Sequence, residues 1–134
     1  MKLLDTVFLI EYWQGHDAVE AYLETTAASE SFVSTTISLK ELAVGRAVLG
    51  SLDPGEFEAA FGWLTFLPFG PAHAYAAATI EAVLRTRSDV NQARMNALAA
   101  DLLIGGVARA ESATVVTRNV DDFELFDGVS VETY

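Results

Sequence analysis

Cysteine is absent from this chain of 134 residues, which removes disulfide frameworks and thiolate metal centres and fits a reducing cytoplasm. Positive charge is scarce: 8 Lys and Arg stand against 19 Asp and Glu, a net charge of -11, and the only lysines are Lys2 and Lys40. A chain of that sign has no broad electrostatic hold on a nucleic-acid backbone. An acidic surface that uses arginine in place of lysine suits a high-salt interior, or a basic partner. Histidine is confined to His16 and His73, far apart, and no Gly-x-Ser-x-Gly elbow exists, so a Ser-His-Asp triad has no support. Gly105-Gly106 lacks the preceding strand and glycine turn of a dinucleotide site, there is no Walker lysine motif, and the paired glycines point instead to a close approach of helix and sheet. Long uncharged apolar runs are missing too: nowhere do about 18 such residues follow one another, which excludes a membrane span. The apolar start of the chain carries Asp5 and Glu11, which break what would otherwise resemble a signal-peptide core.

What is present is enough apolar residue for one domain over residues 1–134, since a chain of this length buries roughly two-thirds of its unfolded surface. Short β-rich runs alternate with longer helical ones, the pattern of a mainly parallel sheet wrapped by helices in three α/β/α layers. Strands are predicted near Lys2 to Leu4, Phe32 to Thr36, Thr114 to Thr117 and Val129 to Glu132, with a weaker run from Thr65 to Phe69 that holds a proline. Helices are predicted from Val7 to Trp13, Asp17 to Ala28, Leu39 to Leu49, Pro54 to Trp63, Ala72 to Arg87 and Arg94 to Glu111. Ser38-Leu39-Lys40-Glu41 matches a capping box, and Asp53-Pro54 matches an N-cap carboxylate followed by proline at the first helical position.

The informative residue is Asp101, set in the apolar run Ala97-Leu98-Ala99-Ala100-Asp101-Leu102-Leu103-Ile104-Gly105-Gly106. A carboxylate facing the core there would cost several kcal/mol unless something paired with it. Three more acids fall where a strand hands over to a helix: Asp5 after the first strand, Glu41 in the helix after the second, and Asp122 after the strand that ends near Thr117. Each has a local explanation as a turn former, a capping-box partner or a solvated loop residue; together they place one acid at each of several converging chain ends. Packed without a cation they would repel, and one would be driven to hold a proton. Mg²⁺, or Mn²⁺, takes oxygen ligands and removes that conflict, which points to metal-assisted hydrolysis of a phosphate ester.

The ordered set Leu3-Leu4-Asp5-Thr6, Ser38-Leu39-Lys40-Glu41-Leu42, Asp101-Leu102-Leu103-Ile104-Gly105-Gly106 and Val116-Thr117-Arg118-Asn119-Val120-Asp121-Asp122-Phe123 resembles the PIN domain, and within it the VapC-type ribonuclease toxins of toxin–antitoxin modules. The resemblance spans nearly the whole chain. It implies a PIN-like fold and a Mg²⁺-dependent endoribonuclease acting on single-stranded RNA, usually a cytoplasmic homodimer, silenced by a cognate antitoxin that wraps the toxin. Asp5, Glu41 and Asp101 match the first three family acids. The fourth is Asp122 or the position of Asn119, where some members carry Asp; Asp122 is the choice here because Asn119 brings no charge. Val7 departs from the polar residue that often follows the Asp-Thr pair. Thr6, Lys40, Thr117 and Arg118 are assigned to the substrate side of the rim. Arg85, Arg87 and Arg94 flank the polar loop from Thr86 to Gln92, His73 is expected at the surface, and Phe57 and Phe61 are expected to pack in the core or in a partner groove. Two alternatives lack turnover: a receiver-like signalling domain, and a PIN-like binding protein.

Overall fold

The computed structural model describes residues 1–134. Five short strands form one parallel sheet in the order β3-β2-β1-β4-β5: β1 (Lys2–Leu4), β2 (Phe32–Thr35), β3 (Thr65–Leu67), β4 (Thr114–Val116) and β5 (Ser130–Glu132). Eight helices surround it: α1 (Thr6–Gln14), α2 (Asp17–Thr26), α3 (Thr36–Val48), α4 (Pro54–Phe61), α5 (Pro71–Arg85), α6 (Gln92–Ala97), α7 (Ala99–Ala110) and α8 (Val120–Phe123). This is the expected mixed α/β architecture, and the sheet is wholly rather than mainly parallel. Its strand order differs from the 2-1-3-4-5 of flavodoxin-like receiver domains, which removes that alternative.

Successive side chains on a strand point to opposite faces, and two cores follow from that alternation. Leu3 and Val115 enter one core with Ile80, Leu84, Leu98, Ile104, Val107 and Phe126. Leu4 and Val116 enter the other with Phe8, Leu9, Val19, Phe57 and Phe61. The near-continuous apolar strands are what a sheet covered on both faces requires. Phe57 and Phe61 are thus core residues, edge-on to Trp13.

Several local expectations are corrected. Helix α3 begins three residues earlier than the capping box at Ser38 implied: Thr35 is the N-cap, its Oγ1 accepting from Ser38 N–H at 3.0 Å, and Ser38 is buried inside the first turn. The helix expected from Arg94 to Glu111 is two helices, parted at Leu98, whose N–H reaches back to Arg94 O and Met95 O. Asp101 therefore lies in the first turn of α7 rather than mid-helix. A Cβ on Gly106 would stand 2.7 Å from Ala77 Cβ, and one on Gly105 would stand 2.8 Å from the Phe126 ring. The paired glycines let α7 approach α5 and the C-terminal segment, not the sheet. His73 is 8% exposed rather than a surface residue; its Nδ1 accepts from Gly70 N–H at 2.9 Å while Nε2 meets Glu111 Oε1 at 2.7 Å, so it clips the start of α5 to the end of α7.

Candidate active site

In an open α/β sheet the crevice outside the carboxyl ends of the strands opens where the strand order reverses. Here that point lies between β1 and β4, and Asp5 and Thr117 are the residues that follow those two strands. Asp5 is the N-cap of α1 and only 2% exposed: Oδ1 accepts from Phe8 N–H at 2.9 Å, and Oδ2 accepts from the Thr117 hydroxyl at 2.5 Å. Burial pushes its carboxyl above the usual range, the two hydrogen bonds oppose this, and the charges of Glu11 and Glu41 add to the rise. Thr117 is itself buried, and its oxygen also accepts from Asn119 N–H at 2.9 Å, so one hydroxyl ties the β4 exit to the β1 exit.

Glu41 projects from the second turn of α3 and is half-buried. Thr6 on α1 donates to its Oε1 at 2.8 Å and stands 3.1 Å from Ser38 Oγ, which in turn lies 3.3 Å from Thr35 Oγ1. A row of hydroxyls thus runs from the end of β2 to the Glu41 carboxylate. The sequence singled out Ser38 as a cap, whereas the N-cap is Thr35; a hydroxyl residue closing the strand was the available sign of it.

Asp101 is half-buried, and its carboxylate makes no hydrogen bond. Burial, then the charges of Asp5, Asp122 and Glu41, push its carboxyl up to about 6, with Arg94 opposing. The four expected acids therefore share one electrostatic neighbourhood. No group of three or more His, Asp or Glu side chains is arranged as a ready-made metal cage. Asp122, on α8, accepts from Arg94 Nη2 in a part-buried ion pair that the sequence reading missed, since nothing in a spacing of 28 residues marks it. Asn119 is exposed at the N-cap position of α8, and its side chain makes no capping bond. Asp121 is exposed and unbonded.

Around this rim the cations are mostly committed. Arg118 donates from Nε to Glu11 Oε2 at 2.9 Å and lies 4.7 Å over the Tyr134 ring, whose hydroxyl also donates to Glu11. Lys40 is the one Lys or Arg side chain without an acidic partner within ion-pair distance, and it is exposed beside Glu41. The polar hollow beside the rim is formed by Arg118, Asn119, Val120, Asp121 and Asp122, while the wider grooves lie elsewhere, between α1 and α3 and around α2.

Comparison with solved structures finds the same fold in the crystal structure of VapBC2 from Rickettsia felis bound to a DNA fragment from their promoter (TM-score 0.78, 22% identity, covering 99% of this chain and 98% of that one). It finds it again in FitAcB from Neisseria gonorrhoeae (TM-score 0.76, 27% identity, 98% and 96% covered) and in a toxin–antitoxin complex from Klebsiella pneumoniae (TM-score 0.71, 19% identity, 96% and 95% covered). No curated protein sequence matches the chain. A family model described as PIN domain matches residues 2–129, and with a parallel sheet that carries an acidic rim at its reversal point, the chain belongs to the PIN domain family.

Proposed function

We propose that this protein is a Mg²⁺-dependent endoribonuclease that cleaves single-stranded RNA, the VapC-type toxin of a toxin–antitoxin pair. PIN domains are in general nucleases, and the structural neighbours include toxin–antitoxin complexes, which supports a cognate antitoxin as partner. The reading includes one catalytic domain over residues 1–134, a homodimer and a cytoplasmic location; no helix is long and apolar enough to cross a membrane.

One observation bears the most weight: Asp101 has no hydrogen-bond partner while Asp5, Asp122 and Glu41 all press on it with charge of its own sign. Four oxygen donors gathered against a single cation, Arg94, leave a net negative site that fits a hard divalent cation. Asp5, Glu41, Asp101 and Asp122 would hold Mg²⁺, with Mn²⁺ as a substitute. When bound, the cation supplies the positive charge that an attacked phosphodiester and its leaving oxygen require. The chain's own residues do the rest. Thr117 and the Phe8 amide fix the Asp5 carboxylate and Thr6 fixes Glu41, so both hydroxyls act toward the substrate through the protein's own acids, which they hold still. Lys40 is free to take a backbone phosphate, Arg118 lines the approach from its ion pair with Glu11, and the unbonded Asn119 amide faces the hollow where a phosphate or water would be oriented. Single strands suit a narrow acidic rim because their backbone bends and their bases splay.

Incubation of the purified protein with generic single-stranded RNA should give Mg²⁺-dependent cleavage that chelation stops. Asp101→Asn should lower the rate by roughly a hundredfold or more with an unchanged circular dichroism spectrum, because ligand loss costs at least as much as loss of a ligand's supporting bond. Asp121→Asn should stay within about twofold of the parent, because Asp121 is exposed, its side chain makes no hydrogen bond, and it is not among the charges that press on Asp101. Cleavage indifferent to chelator, or an Asp101→Asn variant as fast as the parent, would refute the assignment.

A further inference from the structure

We propose that Arg94 is the resident counter-ion of the acidic rim, holding Asp122 in the metal-free protein and giving up that carboxylate when a divalent cation binds. The inference deepens the metal-dependent reading of this same rim and rests on it.

Arg94 is fixed at its backbone, where its N–H donates to Asn91 Oδ1 at 2.8 Å at the start of α6. From there its guanidinium crosses to α8 and donates from Nη2 to Oδ1 of Asp122. The Asp122 side chain is 28% exposed, against 63% for Asp89 in the surface pair with Arg87, so this pair is the less screened by water. Among the groups that act most strongly on Asp101, Arg94 is the cation, and it works against three carboxylates. The remaining arginines face other acids: Arg46 meets Glu56, Arg85 meets Glu81, Arg87 meets Asp89, Arg109 meets Asp127 and Arg118 meets Glu11.

Two physical consequences follow. A carboxylate oxygen engaged by a guanidinium must exchange that partner before it can ligate a metal, and a unit positive charge beside the rim repels a divalent ion by Coulomb's law. Without a cation, the same charge reduces the repulsion among Asp5, Glu41, Asp101 and Asp122. Arg94 thus sets how tightly the rim takes up metal, independently of any chemistry on RNA. Lysine would preserve the charge and lose the planar fork, so it separates electrostatics from geometry.

Calorimetric Mn²⁺ titration of the chelator-treated parent, Arg94→Gln and Arg94→Lys tests this. Arg94→Gln should bind Mn²⁺ tighter by roughly five- to tenfold, and Arg94→Lys should stay within about twofold of the parent. Equal or weaker binding by Arg94→Gln, with the parent binding normally, would overturn the counter-ion role and leave the metal reading standing. Absence of Mn²⁺ uptake by parent and variants alike would overturn both. A measurement on the unaltered protein covers the case of a poorly folding variant: in a Mg²⁺ titration followed by ¹⁵N NMR, the Arg94 Nε resonance should shift in step with the backbone amides of Asp101 and Asp122. A guanidinium signal that stays put at metal saturation would overturn the proposal.

Discussion

Asp101 shows how one side chain can be read from its neighbours' charges. Its carboxyl is pushed to about 6 by burial and then by Asp5, Asp122 and Glu41, whereas in the unfolded chain it titrates near the ordinary value of about 4. A carboxyl raised in the folded state favours folding while it is protonated, so its contribution is complete below about pH 4 and is lost as pH rises through about 6. Denaturant unfolding in the presence of EDTA should therefore show the parent losing stability across that window, and Asp101→Asn should flatten the decline and be the more stable protein at pH 7.5. Parallel curves for the two proteins would contradict the placement of Asp101 among like charges. Asp5 differs in kind although it is the more buried: two donors hold its oxygens, so it is a fixed point on which the rest of the rim is built. The sequence exposed both acids, through position after a strand in one case and an apolar surround in the other. It did not expose the partners of Arg94 and Ser38, because each lies on another element.

At the level of helices and strands, the boundaries that failed share a cause. Thr35 outcompeted Ser38 as the cap of α3 because the strand ends where its hydroxyl can reach the Ser38 amide, leaving Ser38 free to face Thr6. The split of the last long helical run at Leu98 places Asp101 in a first turn, where unsatisfied amides and the helix dipole tolerate an acid better than a helix centre does. Helices α5 and α7 meet through Gly106, and the contact can be tested by adding one methyl group. Gly106→Ala raises helix propensity by about 1 kcal/mol. Its Cβ would nonetheless stand 2.7 Å from Ala77 Cβ and 3.0 Å from Ala77 Cα, a backbone atom with no room to retreat. Net destabilisation of about 1–3 kcal/mol is expected from chemical denaturation, the usual cost of an overpacked core. A variant as stable as the parent would show that the two helices can move apart freely.

For the whole molecule, charge decides how RNA can approach. A net charge of -11 repels a polyanion at long range, and Lys40 is the one cation near the rim with no acidic partner. Counter-ion release scales with the number of phosphates neutralised, so binding of single-stranded RNA to the Asp101→Asn protein should have a shallow salt dependence, a log–log slope on the order of -1 to -2. Lys40→Gln should weaken that binding several-fold and make the slope shallower by roughly 0.7, whatever the RNA sequence, measured by fluorescence anisotropy. A steep slope in the Asp101→Asn protein, or one unchanged when Lys40→Gln is added, would place the RNA elsewhere. Alternation of short apolar strands with helices, and acids at strand exits, were legible along the chain because period and local chemistry are properties of neighbours in sequence. The strand order, the row of hydroxyls from Thr35 to Glu41, the bridge from Thr117 to Asp5 and the Arg94–Asp122 pair were settled only by the folded molecule, since each joins residues that become neighbours when the sheet assembles.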